Sequence, residues 1–450
     1  MSLSNEQPID FEVDLDALPV VGQLPAGLQG VLVRNGPNPV NPQPGSHWFT
    51  GDGMLHAFYF ENGNVNYSNR WVRTQHFLAE TQDEVHQGKN LSQKVADGAA
   101  NTNFIHHAGH YLALEEAHLP VAIDISDLST LGQVAFDTTM TRRMTAHPKI
   151  LPAKGSLIYF AYGTPESFSN QAVYGQIDRT GHAVQEEVFT MPYPSMVHDF
   201  AITENYVLFP LFPLTASAER AKKGYPPFAW EPELGMYLGI MSIAEGVKSL
   251  QWIPGDACFS FHIMNAWEEG DVIRLDLMQY ETPPLFPWPD GTPVNNGEAE
   301  GRFFRWSVNH NDAEPHLTCQ QLSDVSGEFP RIDERFTGKP YRHGWFSANK
   351  TKGHAVSLLS GLAHYDNTAG LTRTWFWNEQ VSVSEGVFVP ASSDAGEGEG
   401  WIMATVWFAS KNSSELAIFD ALNVDQGPLA RVILPHRIPD GFHGNWFNKP

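Results

Sequence analysis

Short runs of β-branched and aromatic residues recur along the whole of this 450-residue chain, each bounded by turn residues. They have the length and composition of ordinary β-strands. The predicted strands are Gly30–Arg34, Met54–Phe60, Tyr111–Leu114, Ser156–Tyr162, Tyr206–Leu214, Met236–Met241, Val272–Tyr280, Arg302–Val308, Ala355–Leu362, Thr372–Trp377, Trp401–Phe408 and Glu415–Phe419. Helical periodicity is scarce, and the best candidate is Ala216–Lys223, with two prolines just beyond it. The segment Glu61–Asn64 has the composition of a hairpin turn.

So many short strands, with no serine-, glycine- or proline-rich linker between them, predict a single all-β domain over residues 1–450. A β-propeller is the natural architecture at this size, because radial repetition leaves few exposed strand edges. No repeat of the WD type is visible, so the number of blades does not follow from these patterns. A double β-sandwich is the alternative.

The charge balance restricts the partners of the chain. With 51 acidic and 28 basic residues the formal net charge is -23, which disfavours nucleic acid and anionic membranes. No run of about 18 apolar residues predicts a transmembrane segment. Phe209–Tyr225 mixes apolar and basic residues, so peripheral membrane contact through a dipping lid is an alternative, but a solvated loop and helix is favoured.

The cysteine count and the N-terminus bear on the compartment. Cys258 and Cys319 are the two cysteines, and neither belongs to a CxxC pair, which fits a reducing compartment. The first residues are acidic and lack the apolar core of a signal peptide. A cytoplasmic protein is therefore expected.

The chain has 19 histidines, and their local contexts separate them. Burial of a neutral imidazole costs free energy unless both ring nitrogens find partners, and a metal ion on one nitrogen with a carboxylate on the other satisfies both. The candidates stand in the segments TAHPKI, MVHDF, FSFHIMNAW and GFHGNW, mostly beside aromatic or large apolar residues. These candidates are His147, His198, His262 and His443. For each of them taken alone, an ordinary core or surface histidine with satisfied ring nitrogens is the favoured interpretation.

A denser group of histidines, His106, His107, His110 and His118, surrounds the small residues Ala108 and Gly109. Those small residues predict a hairpin turn. The turn would leave His107 and His110 at a solvated tip, so metal binding by this group is not expected.

Several motifs, taken together and in order, resemble the carotenoid cleavage oxygenase family over nearly the whole chain. They are VLVRNGPNP (Val31–Pro39), HWFTGDGMLHAF (His47–Phe58), ALEEAHLP (Ala113–Pro120), GEFPRID (Gly327–Asp333), SEGVFVP (Ser384–Pro390) and the closing GFHGNW. The resemblance implies a seven-bladed β-propeller with iron on its axis and a helical or loop cap over one face.

The same resemblance assigns the site. It implies that His147, His198, His262 and His443 bind iron(II), Fe²⁺, and that carboxylates accept hydrogen bonds from three of these rings. Those carboxylates are Glu116, Glu328 and Glu385. The implied reaction uses dioxygen to cleave one alkene bond of a small hydrophobic substrate into two carbonyl products.

Within the family, the stretches HDFAITENYVLFPLFP and FAWEPELGMYLGIM are most similar to the bacterial branch that cleaves stilbenes and phenylpropenes, of the lignostilbene, resveratrol or isoeugenol type. Members that cleave 4-hydroxystilbenes tend to carry lysine immediately before the first glutamate, and here that residue is Glu115. Phe49 is a candidate wall of the substrate cleft.

Three alternatives stay open at this stage. An apocarotenoid is the alternative substrate, since the phenol-binding lysine is missing. An iron-dependent isomerase would use the same ligands without oxidation. A non-catalytic propeller that binds a partner protein would leave the four histidines and their glutamates unexplained.

Overall fold

The computed structural model describes residues 5–43, 47–81, 97–294, 299–350 and 359–448. It is an all-β structure of antiparallel sheets, and its chain separates into two compact units. The first unit comprises Met1–Ala135, Ser357–His364 and Arg373–Pro450, and the second comprises Phe136–Val356 and Tyr365–Thr372.

Short strands dominate the N-terminal part of the first unit. They are β1 (Asp14–Leu15), β2 (Val20–Gly22), β3 (Gly30–Pro37), β4 (Gly53–Glu61), β5 (Asn64–Trp71), β6 (Asn103–His107), β7 (His110–Leu114), β8 (Val121–Ile123) and β9 (Thr130–Gln133). Helix α1 (Gln75–Thr81) follows β5, and a 3-10 helix spans Trp48–Thr50.

The second unit contains the next fifteen strands. They are β10 (Lys149–Leu151), β11 (Ser156–Tyr162), β12 (Gln171–Ile177), β13 (Ala183–Thr190), β14 (Ala201–Ile202), β15 (Tyr206–Leu211), β16 (Leu214–Ala216), β17 (Phe228–Trp230), β18 (Met236–Ser242), β19 (Gln251–Gly255), β20 (Ile263–Glu269), β21 (Val272–Gln279), β22 (Arg302–Asn309), β23 (Thr318–Ile332) and β24 (His343–Ala348). Helix α2 spans Ala218–Lys222, and the 3-10 helices are Pro232–Leu234, Gly246–Ser249 and Glu334–Phe336.

The remaining strands lie in the C-terminal part of the chain. They are β25 (Gly361–Asp366), β26 (Leu371–Phe376), β27 (Val381–Val383), β28 (Val387–Pro390), β29 (Gly400–Phe408), β30 (Ser413–Asp420), β31 (Ala430–Ile433) and β32 (Gly444–Asn448), with a 3-10 helix at Val424–Gln426.

The ends of the chain share two sheets of the first unit. One sheet has the order β1-β5-β4-β3-β32, and the other has β2-β31-β30-β29-β27, with β28 also paired to β29. The third sheet of this unit is β6-β7-β8-β9. N-terminal and C-terminal strands are thus hydrogen-bonded to each other, in the registers Gly30↔Asn448 and Val20↔Val432.

The second unit has two four-stranded sheets, β10-β11-β12-β13 and β14-β15-β18-β19, and a small β16-β17 ribbon. A longer sheet begins in this unit and runs β20-β21-β22-β23-β24-β25-β26. Aromatic side chains fill the core that the two four-stranded sheets share, and Phe200 stacks on Phe209 with ring centroids 6.1 Å apart. Val197 and Phe200 belong to this core, so the segment around His198 is anchored by packing on both sides.

Most strand predictions are confirmed. The run Tyr206–Leu214 is interrupted, because β15 ends at Leu211 and β16 begins at Leu214, with Pro213 between them. The hairpin turn is confirmed, since Asn62 (φ 52°) and Gly63 (φ 77°) both take left-handed backbone angles. Most of the predicted strand Ala355–Leu362 lies outside the described residues.

The segment Phe209–Tyr225 forms β15, β16 and α2, and Ser217 caps that helix by accepting a hydrogen bond from the Arg220 backbone N–H. Residues 209–216 are buried, including Leu211 and Leu214, so their apolar side chains face the protein core, whereas Tyr225 at the end of the segment is 49% exposed. The helix itself is exposed. None of the helices in the described ranges is long and apolar enough to cross a membrane.

His56 on β4 is a buried titratable group in the core of the first unit. Its Nδ1 lies 2.7 Å from the Tyr67 hydroxyl. Burial, with smaller effects of Arg34 and His436, lowers the pKa of His56 from 6.5 to about 3. Between these two pH values the unfolded chain binds a proton that the folded chain excludes. The contribution of this ring to stability is therefore complete above pH 6.5 and is lost as the pH falls toward 3.

We expect His56→Asn to flatten the dependence of the unfolding free energy on pH, by about 1 kcal/mol per pH unit between pH 6 and 4. Denaturant titrations at several pH values measure this slope. His110→Asn, the same change on an exposed ring, is the control and should leave the slope unchanged. Parallel curves for the wild type and His56→Asn would contradict the assignment.

Candidate metal centre

The four candidate histidines occupy equivalent positions in four sheets. Each one stands within three residues before a strand at the edge of its sheet, namely β10, β14, β20 and β32. In chain order they are His147, His198, His262 and His443. Because a ladder fixes the start of each strand, the backbone beside each ring is held by its own sheet.

Three of these rings form a cluster in the second unit. The Nε2 atoms of His147 and His198 lie 3.1 Å apart, and the ring centroids of His147 and His262 are 5.2 Å apart. The centroids of His198 and His262 are separated by 5.1 Å. His147 precedes Pro148, which favours an extended backbone at the histidine, and its N–H donates to the Thr145 hydroxyl.

A buried carboxylate orients the His262 ring. His262 Nδ1 lies 2.6 Å from Glu328 Oε2, and the Glu328 side chain is only 1% exposed. The same oxygen also accepts a hydrogen bond from the Phe329 N–H. Phe329 has a positive φ of 57°, and the β23–β24 register shifts just after Glu328. The bulge therefore redirects the strand at the residue that holds the imidazole.

Tyr280 adds a neutral donor beside this pair. Burial, and then the Glu328 carboxylate, raise the pKa of Tyr280 well above its ordinary value of 10. The phenol therefore stays protonated and can donate to Glu328. The Glu328 carboxylate accepts hydrogen bonds from the His262 ring and the Phe329 N–H, and the Tyr280 phenol lies near enough for the carboxylate to raise its pKa.

A second carboxylate orients His443 within the first unit. His443 Nδ1 lies 2.9 Å from Glu385 Oε1, and the Gly444 N–H donates to Oε2 of the same residue at 3.0 Å. The His443 backbone is also fixed, because its N–H donates to Thr102 and its carbonyl accepts from Asn35. A side chain at Gly444 would collide with the backbone of β3, so this position requires glycine.

Arg34 brings a buried positive charge to this part of the first unit. Its guanidinium donates to the Thr405 hydroxyl at 2.7 Å and to the Phe442 carbonyl at 3.1 Å. Burial lowers the pKa of Arg34 to about 10, while Glu385 acts to raise it. The side chain is thus still charged at neutral pH, and its field offsets part of the Glu385 charge.

One ring nitrogen from each of His147, His198, His262 and His443 lies within 4.8 Å of the other three, a grouping that could hold a metal ion. The donor set fits such an ion. Since Nδ1 of His262 and of His443 faces a carboxylate, Nε2 is the nitrogen left for a metal. Two ligands at right angles on one ion lie about 3.0 Å apart, close to the separation of the His147 and His198 nitrogens.

The sequence matches the family described as retinal pigment epithelial membrane protein over residues 6–448. Isoeugenol monooxygenase of Pseudomonas nitroreducens is 34% identical, over 98% of this chain and 97% of its own length. Lignostilbene-alpha,beta-dioxygenase isozyme III of Sphingomonas paucimobilis is 33% identical, over 98% and 95%. The crystal structure of Pseudomonas brassicacearum lignostilbene dioxygenase gives a TM-score of 0.90 at 32% identity, and covers 98% of this chain and 97% of that one.

This chain belongs to that family. The resemblance to carotenoid cleavage oxygenases is thereby confirmed, because proteins named carotenoid cleavage oxygenase also match over 98% of the chain. The names isoeugenol monooxygenase and lignostilbene dioxygenase belong to its relatives. The share covered in both directions means that the family fold extends over nearly the whole chain.

The other predicted site residues lie in the first unit. Glu116 is half-buried in the bend after β7. The neighbouring Glu115 carboxylate hydrogen-bonds to the His118 ring and packs over Gly98. Phe49 lies in the 3-10 helix Trp48–Thr50. Its ring packs edge-on against that of Phe442, the residue before His443, with the ring centroids 5.5 Å apart.

The dense histidine group does not form a metal cluster among the described residues. The predicted hairpin is confirmed, with His107 paired to His110 and left-handed angles at Ala108 and Gly109. The expectation of a solvated His107 is wrong, since this side chain is buried while His110 is exposed. His107 is the last residue of β6 and still belongs to the ladder, whereas only the two small residues form the tip.

A second group that could bind a cation contains Asp52, His76 and Glu80. Two of its three members are exposed, and the His76 ring nitrogen lies 3.8 Å from Asp52 and 3.6 Å from Glu80. Both separations are longer than an ordinary hydrogen bond. The four-histidine group is the stronger metal candidate, because three of its rings are buried.

Neither the position of Tyr280 beside Glu328 nor the bulge at Phe329 is predictable from the sequence. No local signal marks Tyr280, because its partner Glu328 is distant in the chain. The apolar Phe329 next to Glu328 is consistent with burial of the glutamate, but no sequence pattern predicts the positive φ angle of Phe329. Arg34 was part of a family motif without an assigned role.

We expect His262→Ala to lose metal, since it removes one of the four candidate ligands and leaves the buried Glu328 carboxylate without its imidazole. The metal content of the variant, measured by mass spectrometry after loading with Co²⁺ and gel filtration, should fall far below that of the wild type. His107→Ala removes a buried imidazole outside the group and is the matched control. Normal Co²⁺ content in His262→Ala would exclude His262 as a ligand.

Proposed function

We propose that this protein is a non-haem, iron(II)-dependent dioxygenase that cleaves the alkene bond of a stilbenoid or phenylpropene into two carbonyl products. The observation that carries this proposal is the group of four histidines, two of them fixed by buried glutamates, in a chain whose full-length relatives are named oxygenases. When bound, iron(II) would supply the redox chemistry with dioxygen.

The residues of the chain then have separate tasks. Glu328 and Glu385 hold the proton of His262 and His443 on Nδ1, so that the Nε2 lone pairs face the metal. Because four imidazole ligands are neutral, they would not reduce the positive charge of the ion, and the buried carboxylates would offset part of that charge. We propose that Glu116 does the same for a third ring. Four protein ligands leave coordination positions open, as an oxygenase requires.

We propose a seven-bladed propeller for the chain as one domain, with iron on its axis and loops forming the cap. Strand β23 supports this count, because Thr318–Ser326 pairs with β22 while Gly327–Ile332 pairs with β24. The seven-stranded sheet thus divides into two four-stranded groups, β20 to β23 and β23 to β26, that share the long strand β23. With the two other four-stranded sheets of the second unit and the three sheets of the first, the total is seven.

The distribution of the predicted site residues agrees with that count. The histidines stand at the sheets that contain β10, β14, β20 and β32. Glu116 follows β7, Glu328 lies where β23 changes partner, and Glu385 precedes β28. Each of the seven strand groups therefore supplies one residue, as expected if they surround a common centre.

An apolar substrate is supported by the aromatic surroundings of the histidines. In the second unit the Phe329 ring lies 5.3 Å from that of His262, and Phe261 lies 5.7 Å from that of His198. In the first unit Phe442 directly precedes His443, and the Phe49 ring packs against that of Phe442. We propose that Phe49 forms one wall of the cleft and that Glu115, paired with His118, faces its polar end.

We propose the cytoplasm as the compartment, which the free thiols of Cys258 and Cys319 support.

The test is turnover of the purified protein with bound iron. The enzyme is incubated with stilbenes, phenylpropenes and apocarotenoids, while oxygen uptake is recorded and the products are identified by mass. We expect aldehydes from the first two classes, with one dioxygen consumed per bond cleaved. Cleavage of apocarotenoids alone would reassign the substrate, products formed without oxygen uptake would indicate an isomerase, and absence of bound iron would reject the enzyme.

We expect Glu115→Lys to raise the preference for a phenolic substrate, because lysine donates to the phenol oxygen and stabilises its anion, whereas a carboxylate repels it. A charged hydrogen bond in such a site changes selectivity by roughly ten- to a hundredfold. The measurement is kcat/KM for a 4-hydroxystilbene relative to its 4-methoxy analogue. Glu61→Lys, the same charge change at an exposed hairpin, is the control. An unchanged ratio in Glu115→Lys would mean that Glu115 does not face the substrate.

A further inference from the structure

Asp199 connects segments that carry three of the histidines. It follows His198 directly and its side chain is only 3% exposed. The Oδ1 atom pairs with Lys149 Nζ at 2.7 Å and accepts the Phe200 N–H at 2.8 Å. The Oδ2 atom accepts the Ile263 N–H at 2.9 Å.

The partners of this carboxylate are the neighbours of the other ligands. Lys149 stands two residues after His147, and Ile263 follows His262 directly. The three segments start the edge strands of three different sheets, so ladder hydrogen bonds do not connect them. Among the described residues, one carboxylate thus bridges all three histidine segments of the second unit.

We propose that Asp199 is a positioning residue, which sets the spacing of His147, His198 and His262 and thereby the affinity and geometry of the metal centre. This inference rests on the proposed function. Asp199 would act through the histidine segments, since its carboxylate is not part of the four-histidine group. Its two oxygens serve different segments, so a shift of either link would move one ring relative to the others.

The chemistry of the carboxylate suits this task. Hydrogen bonds to an ionised acceptor are shorter and stronger than neutral ones, and Lys149 supplies the compensating charge that burial requires. The Lys149 ammonium also lies 5.8 Å from the centre of the Phe200 ring, in the aromatic core next to His198. Asparagine has the same shape, but its amide group would place a donor against either Lys149 or the Ile263 N–H.

Asp199→Asn should therefore weaken metal binding by roughly 10- to 100-fold, the usual effect of losing an outer partner of a metal ligand. Affinity is measured with Co²⁺ against a competing chelator. The visible absorption spectrum of the Co²⁺ protein reports ligand geometry, and thermal unfolding of the metal-free protein reports stability. We expect lower affinity and a shifted spectrum.

Asp276→Asn is the matched control, because it neutralises a fully buried aspartate of the same unit that pairs with Arg305 at 2.7 Å. Its other hydrogen bond comes from Tyr341, so it does not link the histidine segments. This control should lower the unfolding temperature without changing the Co²⁺ spectrum. Lys149→Arg, which keeps the cation, should retain most of the wild-type affinity.

Wild-type affinity and spectrum in Asp199→Asn would overturn the inference, even if that variant were less stable. If Asp199→Asn does not fold, Lys149→Met decides, since it removes one link at a partly exposed position. An unchanged Co²⁺ spectrum in Lys149→Met would then overturn the inference. Failure of the wild type to bind Co²⁺ would reject the metal centre and this inference together. Metal binding without alkene cleavage would reject only the proposed reaction, because the readouts here do not depend on turnover.

Discussion

A buried neutral imidazole has one N–H and one lone pair, and both need a partner in a place where water does not supply one. The local structure around His262 and His443 follows from this requirement. Each ring meets a glutamate on Nδ1, and each glutamate also accepts a backbone N–H, from Phe329 in the case of Glu328 and from Gly444 in the case of Glu385. The positive φ angle of Phe329 and the close approach of the β3 backbone to Gly444 both occur beside these pairs of glutamate and imidazole. What remains is a lone pair on Nε2, which only a proton donor or a metal ion can satisfy.

The charges around these rings point to a metal ion. Glu328 and Glu385 are nearly inaccessible to solvent, and a buried carboxylate is costly unless positive charge or several donors compensate it. Tyr280 and the imidazole N–H groups supply neutral donors, while Arg34 supplies a cation near Glu385. A divalent ion on the opposite side of the imidazoles would complete this compensation. The carboxylates would then orient the imidazole ligands and also balance the positive charge of the ion, which neutral imidazoles cannot do.

The fold was predictable to the extent that its information is local. β-Branched and aromatic runs between turn residues predicted the strands, and Asn62-Gly63 predicted a hairpin, because both depend on neighbours in the chain. The order of strands in each sheet depends on contacts between distant segments, so the sequence could not assign it. In the site, the histidines were recognisable from their contexts and the family resemblance. The bridge from Asp199 to Ile263 was not, since a backbone N–H has no side-chain signal, and buried His107 was misjudged because the turn is only two residues long.

The histidines lie directly before edge strands, whereas the residues proposed to face the substrate do not. Phe49 belongs to a short 3-10 helix, and Glu115 lies in the bend after β7. A substitution in such a connecting segment changes a side chain without disturbing a ladder, while a change at the start of a strand shifts a ligand ring. A metal site at the four histidines would therefore be constrained by every sheet that contributes a ring, whereas the residues proposed to face the substrate would not be. This separation is consistent with relatives of about one third identity that are named for different substrates, isoeugenol and lignostilbene. Because Glu115 lies outside the four-histidine group, a change at this residue would leave the proposed metal ligands in place.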